Sequence, residues 1–255
     1  MQAALRLEAG LFLLAVRYLT HLPVPRDLAS SDDLMVRAVK YHPAVGALVG
    51  ALGALTFWSA ALVLPVPVAV LLSLAVTLLV TGGFHEQGLA HAAEGLGAGR
   101  DRPDVIRVMD SAPLGVHGAV TLGLVLALKV ILLSGFVGQI AGMGLIAGHA
   151  MGRMASVHVT ATTVHARSHG IRKFVPKVTR DGYRVALAIT LVSLVPLLLV
   201  AGIAATLCGC VGAILLAQAF RRLVLTRIGG YTGDCLGGSQ QMGELGLYLG
   251  LALWL

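Results

Sequence analysis

Long stretches of apolar residues alternate with shorter polar segments along most of the chain. Seven apolar runs stand out, at 43–64, 67–82, 114–135, 136–152, 185–203, 206–220 and, less sharply, 240–255. A helix needs roughly 20 residues to cross the hydrocarbon core of a bilayer, so we expect the shortest runs to tilt or to re-enter. The pattern predicts an all-α polytopic membrane protein with about six to seven transmembrane helices.

The N-terminal segment differs from these runs because charged residues interrupt it. Arg6, Glu8 and Arg17 flank or break its apolar stretch, and no small-residue cleavage site follows. We therefore expect a retained helix that lies at the membrane interface. Composition agrees with a membrane protein, since 57% of the 255 residues are hydrophobic and 12% are charged, too few charges to cover a soluble globule.

The charged residues are concentrated in a few polar segments. Most of the 19 Lys and Arg residues lie in four basic segments, 20–42, 83–113, 153–184 and 221–239. The connections near 65, 136 and 204 carry none, so the positive-inside rule places all four basic segments in the cytoplasm. The acidic residues, Glu244 included but Glu8 excepted, lie in or beside the same segments. This predicts a single integral membrane domain over residues 1–255, with active-site loops on the cytoplasmic face, lipid around it and no nucleic-acid partner.

The segment 82–96 carries candidate chemistry directly after an apolar run. If it continues as a helix, Gln87, His91 and Glu94 lie on one face, at i, i+4 and i+7. Its glycines, Gly83 among them, suit a close approach by a ligand or another backbone. The alternative interpretation is a polar helix face at a membrane boundary.

A second candidate is the glycine-rich segment 221–238. Its backbone amides at Gly230 and Gly233 are able to bind phosphate, with Asp234 holding a cation beside Arg222. The alternative is a tight turn between two helices. A third candidate, Asp110, either adds a carboxylate to this site or caps the helix that follows.

Five short segments follow one another in a specific order. They are Tyr18–Pro25, His42–Gly46, Gly82–Gly95, Met109–Ser111 with Gly115 and Gly118, and Gly229–Asp234. Together they resemble the cobalamin 5'-phosphate synthase family, also called adenosylcobinamide-GDP ribazoletransferase. The resemblance implies a transferase that joins α-ribazole or α-ribazole 5'-phosphate to adenosylcobinamide-GDP, releases GMP and gives adenosylcobalamin or its 5'-phosphate. It also implies Mg²⁺ as cofactor and the cytoplasmic (inner) membrane of a bacterium or archaeon.

The chain departs from that family at one helix. Gln87, His91 and Glu94 stand where the family usually has three aspartates, and Mg²⁺ prefers hard oxygen ligands. Either the metal site is rebuilt on other carboxylates or it is impaired. The predicted metal ligands are Glu86, Glu94, Asp110 and Asp234.

Phosphoryl transfer needs an activated nucleophile and positive charge around the diphosphate. We assign catalytic roles to His91, Glu94 and Asp234, with His91 as a metal ligand or a proton acceptor. The predicted substrate-binding residues are Arg153, Arg222, Gly83, Gly230 and Gly233. For the two arginines the alternative role is an anchor to anionic lipid, and for the histidines at span boundaries, His42, His85 and His117, we expect a plain interfacial role.

Two other classes of function compete with the transferase. A transporter would carry charged groups deep inside its spans, whereas here only Lys129 is predicted to lie there. A catalytically impaired homologue that binds cobinamide or a partner protein is favoured by the missing aspartates alone. A homo-oligomer is an open alternative to a monomer.

Overall fold

The structure is a computed structural model that describes residues 2–111, 113–166 and 175–255. Within these ranges every regular element is a helix, which confirms the predicted all-α class. The helices are α1 Gln2–Leu19, α2 Asp32–Ala38, a 3-10 turn at Val39–Tyr41, α3 His42–Ala61, α4 Val66–Thr81, α5 Phe84–Ala98, α6 Arg102–Asp110, α7 Val116–Gly135, α8 Gly138–Thr162, α9 Arg180–Ile228 and α10 Gly233–Trp254.

A right-angle turn separates the apolar helix α4 from the polar helix α5. Gly82 and Gly83 form this turn with φ angles of 65° and 66°, in the left-handed region that favours glycine, and the two helices are bent by 90°. Gly82 also leaves room for a ring, because a Cβ there would lie 2.3 Å from Cε1 of His21. The polar segment after the apolar run is therefore helical, which is the condition for Gln87, His91 and Glu94 to share one face.

Helix α9 folds back on itself at Gly202. This residue has φ 81° and ψ 169°, which are not helical angles. A straight helix of 49 residues would be about 70 Å long, yet both ends of α9 contact the same end of α8. The hydroxyl oxygen of Tyr183 lies 3.0 Å from Nδ1 of His158. Arg221 donates a hydrogen bond to the carbonyl oxygen of Thr162 at 3.0 Å. The two arms of α9 correspond to the separate apolar runs at 185–203 and 206–220.

Only some of the described helices have the length and apolar composition of a membrane span. Three stretches meet both conditions, at Asp32–Ala61, Val116–Gly135 and Arg180–Ile228, and the bent pair α4 and α5 makes a fourth if it is one span. Helices α8 and α10 are long enough, with 25 and 22 residues, but both bury polar side chains. The total of six to seven crossings stays a prediction.

The central helices pack through glycines that bring their backbones together. A Cβ at Gly50 of α3 would lie 2.5 Å from the carbonyl oxygen of Leu145 in α8. A Cβ at Gly246 of α10 would lie 2.4 Å from the carbonyl oxygen of Gly212 in α9. Small residues permit this approach between membrane helices, which then gain close van der Waals contact.

We expect Gly246→Ala to push α10 away from α9 and to lower the free energy of unfolding by about 1–3 kcal/mol. The matched control is Gly123→Ala in α7, because nothing lies within 4 Å of a Cβ at that position. Thermal unfolding of both purified variants in one detergent measures the difference. Equal melting temperatures would contradict the close contact between α9 and α10.

A network of buried polar side chains joins four helices inside the bundle. Lys129 of α7 is 2% exposed, and its Nζ lies 2.9 Å from Oε1 of the fully buried Glu244 of α10. Lys129 also donates to Gln241 Oε1 at 2.6 Å, and Gln241 Nε2 donates to Glu86 Oε1 of α5 at 2.9 Å. Nδ1 of His149 in α8 lies 3.6 Å from Glu244 Oε2.

This network corrects the expectation that Glu244 lies in or beside a cytoplasmic segment. Glu244 lies eleven residues beyond the start of α10 and is completely buried. Lys129 is therefore not a lone charge inside a span, because it has an ion-pair partner on a neighbouring helix. The pairing between the two charges offsets their desolvation.

Helix α1 is attached to the rest of the bundle by apolar contacts and one polar cluster. Leu11 and Leu14 are buried against α3. Glu8 Oε2 lies 2.6 Å from Nζ of Lys40 and accepts a hydrogen bond from the Tyr41 hydroxyl at 2.7 Å. These two bonds lower the pKa of Glu8 below its usual value, so its contribution to stability is present above the ordinary carboxyl pKa and is lost as the pH falls through the lowered one. The interfacial position of α1 stays a prediction.

Candidate functional site

A cavity of about 840 Å³ lies at the end of the bundle where the polar segments meet. Each of the four basic segments contributes to its wall, with Met35 and His42 from 20–42, His85 and Asp110 from 83–113, Arg153 and His165 from 153–184, and Tyr231 and Asp234 from 221–239. Residues 167–174 of the third segment lie outside the described residues. Convergence on one cavity agrees with the prediction that the four segments share one side of the protein.

Arg153 is the buried cation of the cavity wall. It is 4% exposed, and its guanidinium pairs with Nε2 of His85. Gly46 makes room for it, because a Cβ there would lie 2.7 Å from Cγ of Arg153. Within the described residues, Nε of Arg153 has no hydrogen-bond partner. Arg153 lines the cavity, and a guanidinium in such a position is suited to bind an anionic oxygen.

Helix α10 begins at the cavity wall. Thr232 caps it by accepting a hydrogen bond from the backbone N–H of Cys235 at 3.4 Å. Gly233 and Asp234 line the cavity, and nothing lies within 4 Å of a Cβ at Gly233. The amides of a first helical turn carry partial positive charge. This end of α10 is therefore suited to a phosphate group, in the manner of other helix N-termini.

The predicted polar face of α5 exists, but its three side chains serve different partners. Gln87 is exposed. His91 approaches α10, with Nδ1 at 3.7 Å from Oδ1 of Asp234. Glu94 points to the start of α7, where Oε2 accepts a hydrogen bond from the backbone N–H of Gly118 at 2.8 Å. Glu94 thus caps α7 and is not part of the cavity wall; its predicted catalytic and metal-binding roles stay predictions.

The four carboxylates predicted to hold a metal are not gathered at one point. Asp110 and Asp234 line the cavity. Glu86 accepts a hydrogen bond from Gln241 inside the bundle, and Glu94 caps α7. Eight residues separate the two glutamates, about 12 Å along a helix. Across residues 2–111, 113–166 and 175–255, no group of three or more His, Cys, Asp or Glu side chains is arranged to hold a metal ion.

Asp110 has the first of its two predicted roles. It is the last residue of α6 and lies at the cavity. The residue that precedes α7 is Gly115, and the side chain that caps this helix comes from Glu94. Asp110 therefore adds a carboxylate to the cavity.

Three of the predicted substrate-binding residues lie outside the cavity wall. Gly230 is required by a close contact, because a Cβ there would lie 2.6 Å from the carbonyl oxygen of Val164, to which Tyr231 N–H donates at 3.0 Å. Gly83 supplies the left-handed turn before α5. Arg222 is exposed on α9. Gly230 and Gly83 are thus explained by backbone packing and backbone conformation. Of the predicted glycines, only Gly233 lines the cavity.

Several cavity residues were not predicted as part of the site. His42 and His85 were expected to have only an interfacial role, yet both line the cavity together with Tyr18 and Phe84. The ring of Tyr18 stacks on that of His42, with centroids 6.0 Å apart and an interplanar angle of 19°. Tyr18 and His42 belong to two of the short segments that carry the family resemblance. Their shared position at one end of the apolar runs was the signal available in the sequence.

The cavity therefore combines the buried cation of Arg153, the N-terminus of α10, several aromatic rings and the carboxylates of Asp32, Asp110 and Asp234. The cation and the helix N-terminus favour phosphate groups. The carboxylates favour a cation or a proton. The aromatic rings favour a planar apolar group. These are the requirements of a substrate that carries both phosphate and a ring system.

Comparison with known proteins gives a consistent result. The chain matches the family model described as Cobalamin-5-phosphate synthase over residues 11–252. It is similar to a protein of Ralstonia nicotianae named adenosylcobinamide-GDP ribazoletransferase, with 40% identity over 100% of this chain and 97% of that relative. Relatives with the same name from Shewanella baltica and Ralstonia pickettii are 36% and 38% identical, and each match covers 94% of this chain and 93% and 94% of the relative, respectively. No solved structure matches the chain.

Proposed function

Because the chain belongs to the cobalamin-5-phosphate synthase family, we propose that it is an adenosylcobinamide-GDP ribazoletransferase. It joins α-ribazole or α-ribazole 5'-phosphate to adenosylcobinamide-GDP, releases GMP and gives adenosylcobalamin or its 5'-phosphate. The observation that carries the proposal is the family match over residues 11–252. The cavity supports it, since phosphate-binding groups and aromatic rings line one space.

In the proposed reaction, a ribose hydroxyl of the ribazole attacks the phosphorus that is linked to cobinamide. The bond from this phosphorus to the bridging oxygen breaks, and GMP leaves with that oxygen. Arg153 and the first turn of α10 bind the diphosphate and hold it in line with the hydroxyl. The hydroxyl proton passes to the pair formed by Asp234 and His91, whose facing atoms are 3.7 Å apart.

The proposal includes Mg²⁺, held by fewer carboxylates than the four predicted from the sequence. This ion is commonly held by one or two carboxylates together with substrate phosphates and water. Asp110 and Asp234 are the two carboxylates of the predicted set that line the cavity. When bound there, Mg²⁺ would neutralise charge on the diphosphate. Glu86 and Glu94 lie outside this reduced set, since neither lines the cavity.

We also propose that the protein lies in the cytoplasmic (inner) membrane of a bacterium or archaeon, with the cavity open to the cytoplasm. The support is the concentration of Lys and Arg in the four segments that build the cavity. Membrane lipid contacts the exposed apolar side chains of α7 and α9, such as Leu124 and Leu199. A homo-oligomer stays a prediction.

Asp234→Asn tests the proposed site directly. The change keeps the size of the side chain and removes its charge, so we expect GMP release to fall by about 100-fold or more. The assay uses purified protein in liposomes with adenosylcobinamide-GDP, α-ribazole and Mg²⁺. The control is Asp181→Asn, whose side chain is 88% exposed and is not part of the cavity wall. Activity of Asp234→Asn within threefold of the parent would contradict the role of this carboxylate.

The same assay on the unchanged protein tests the proposed function itself. We expect GMP to appear only when both substrates are present. A chain that binds adenosylcobinamide-GDP but releases no GMP with any divalent metal, beside an active relative as control, would support the impaired homologue.

A further inference from the structure

Aromatic rings form one wall of the cavity. Tyr18 at the end of α1, His42 at the start of α3 and Phe84 at the start of α5 all line it, and we refer to these three residues as the aromatic wall. Tyr18 lies between the other two, with its ring centroid 6.0 Å from that of His42 and 6.5 Å from that of Phe84. Phe, Trp and Tyr make up only 5% of the chain, so two such rings beside the imidazole of His42 are a local enrichment.

The ring of Phe84 is placed where a ligand can reach it. Phe84 is 45% exposed although it is a large apolar side chain. The left-handed turn at Gly82 and Gly83 starts α5 at this residue, and the next residue, His85, packs its ring edge-on against Phe84 at 5.3 Å. Exposing an aromatic ring to water inside a cavity is unfavourable unless a ligand covers it.

The other groups of the cavity set the orientation of such a ligand. Arg153 and the start of α10 take anionic groups, and the aromatic wall lies in the same space of about 840 Å³. That volume is large enough for a nucleotide-sized ligand. A planar base that stacks on the wall leaves its ribose and phosphate free to extend toward Arg153 and Gly233.

We propose that the aromatic wall stacks on the planar heteroaromatic base of a nucleotide substrate and that Phe84 determines selectivity for that base. This inference rests on the proposed function, in which two ring systems are available. One is the benzimidazole of α-ribazole, and the other is the guanine of adenosylcobinamide-GDP. Both share the flat π surface that the wall recognises.

The test compares binding of separate ring-bearing probes. We expect Phe84→Leu to weaken binding of one probe, α-ribazole or GMP, by about 10-fold, since a base that stacks on an aromatic ring loses that contact. Phe84→Tyr keeps a ring and should bind within threefold of the parent. Titration calorimetry of purified protein in detergent measures both affinities. Weaker binding of α-ribazole to Phe84→Leu assigns the aromatic wall to benzimidazole, and weaker binding of GMP assigns it to guanine.

Two controls make the result specific. Phe136→Leu removes a half-buried ring that is not part of the cavity wall, and we expect no change in either affinity. Pyrophosphate, which has no ring, should bind equally to the parent and to Phe84→Leu. Unchanged affinity of Phe84→Leu for both ring-bearing probes would overturn the aromatic wall as a base site, even with normal GMP release by the parent. Weakened ring binding without GMP release by the parent would instead overturn the proposed function alone.

Discussion

Lys129→Met is expected to lower the free energy of unfolding of the bundle by about 3–5 kcal/mol. The change removes one partner of a buried ion pair and leaves the Glu244 carboxylate, fully buried, without its counter-charge. Gln240 and Tyr248 still donate hydrogen bonds to this carboxylate, at 2.9 and 3.1 Å. Two neutral donors do not replace a buried ammonium group.

A double-mutant cycle measures this effect. Lys129→Met with Glu244→Gln removes both charges, so the double variant should recover most of the stability that Lys129→Met loses. Lys177→Met, at an exposed position, is the matched control and should unfold like the parent. Unfolding in one detergent, followed by tryptophan fluorescence or circular dichroism, gives the free energy of unfolding of the parent, the two single variants and the double variant. Additive effects of the two single changes would show that the pair is not coupled.

Arg153→Lys should lower kcat/KM for adenosylcobinamide-GDP by about 10- to 100-fold. Lysine keeps the positive charge but loses the planar donors that serve both His85 and a diphosphate oxygen. Each charge-assisted hydrogen bond contributes about 1.5–3 kcal/mol, and about 1.4 kcal/mol corresponds to a factor of ten in rate. Steady-state GMP release in liposomes measures the ratio.

Arg222→Lys is the matched control for this prediction. Arg222 was predicted from the sequence to bind diphosphate as well, but it is exposed and is not part of the cavity wall. Its conservative change should leave kcat/KM within twofold of the parent. Similar losses for the two variants would mean that the diphosphate lies nearer to α9 than the cavity indicates.

The fold class follows from the chain pattern, whereas the partners of individual polar residues do not. Apolar runs and basic segments predict helices and place four segments on one side, because both depend on local composition. The pairing of Lys129 with Glu244 depends instead on how α7 packs beside α10, across more than one hundred residues. No local pattern marks Glu244 as buried, since its neighbours include both glutamines and glycines.

The candidate site shows the same division. The sequence identified Arg153, Asp110, Asp234 and Gly233, and all four line the cavity. It also placed Glu94 correctly on a helix, but its hydrogen bond goes to the backbone of Gly118. A carboxylate suits a helix N-terminus as well as a metal ion, so its residue type alone does not distinguish the two roles. Only the position of α7 does.

The construction of the cavity wall from four separated segments has a consequence for synthesis of the protein. A ribosome delivers the segments 20–42, 83–113 and 153–184 to the membrane before the segment that holds Asp234. Arg153 therefore stands in the nascent chain without the helix N-terminus that completes its site. If Arg153 and the N-terminus of α10 bind the diphosphate as proposed, we expect affinity for it to arise only after α10 has packed against α8 and α9, so folding of the last described helix must precede activity.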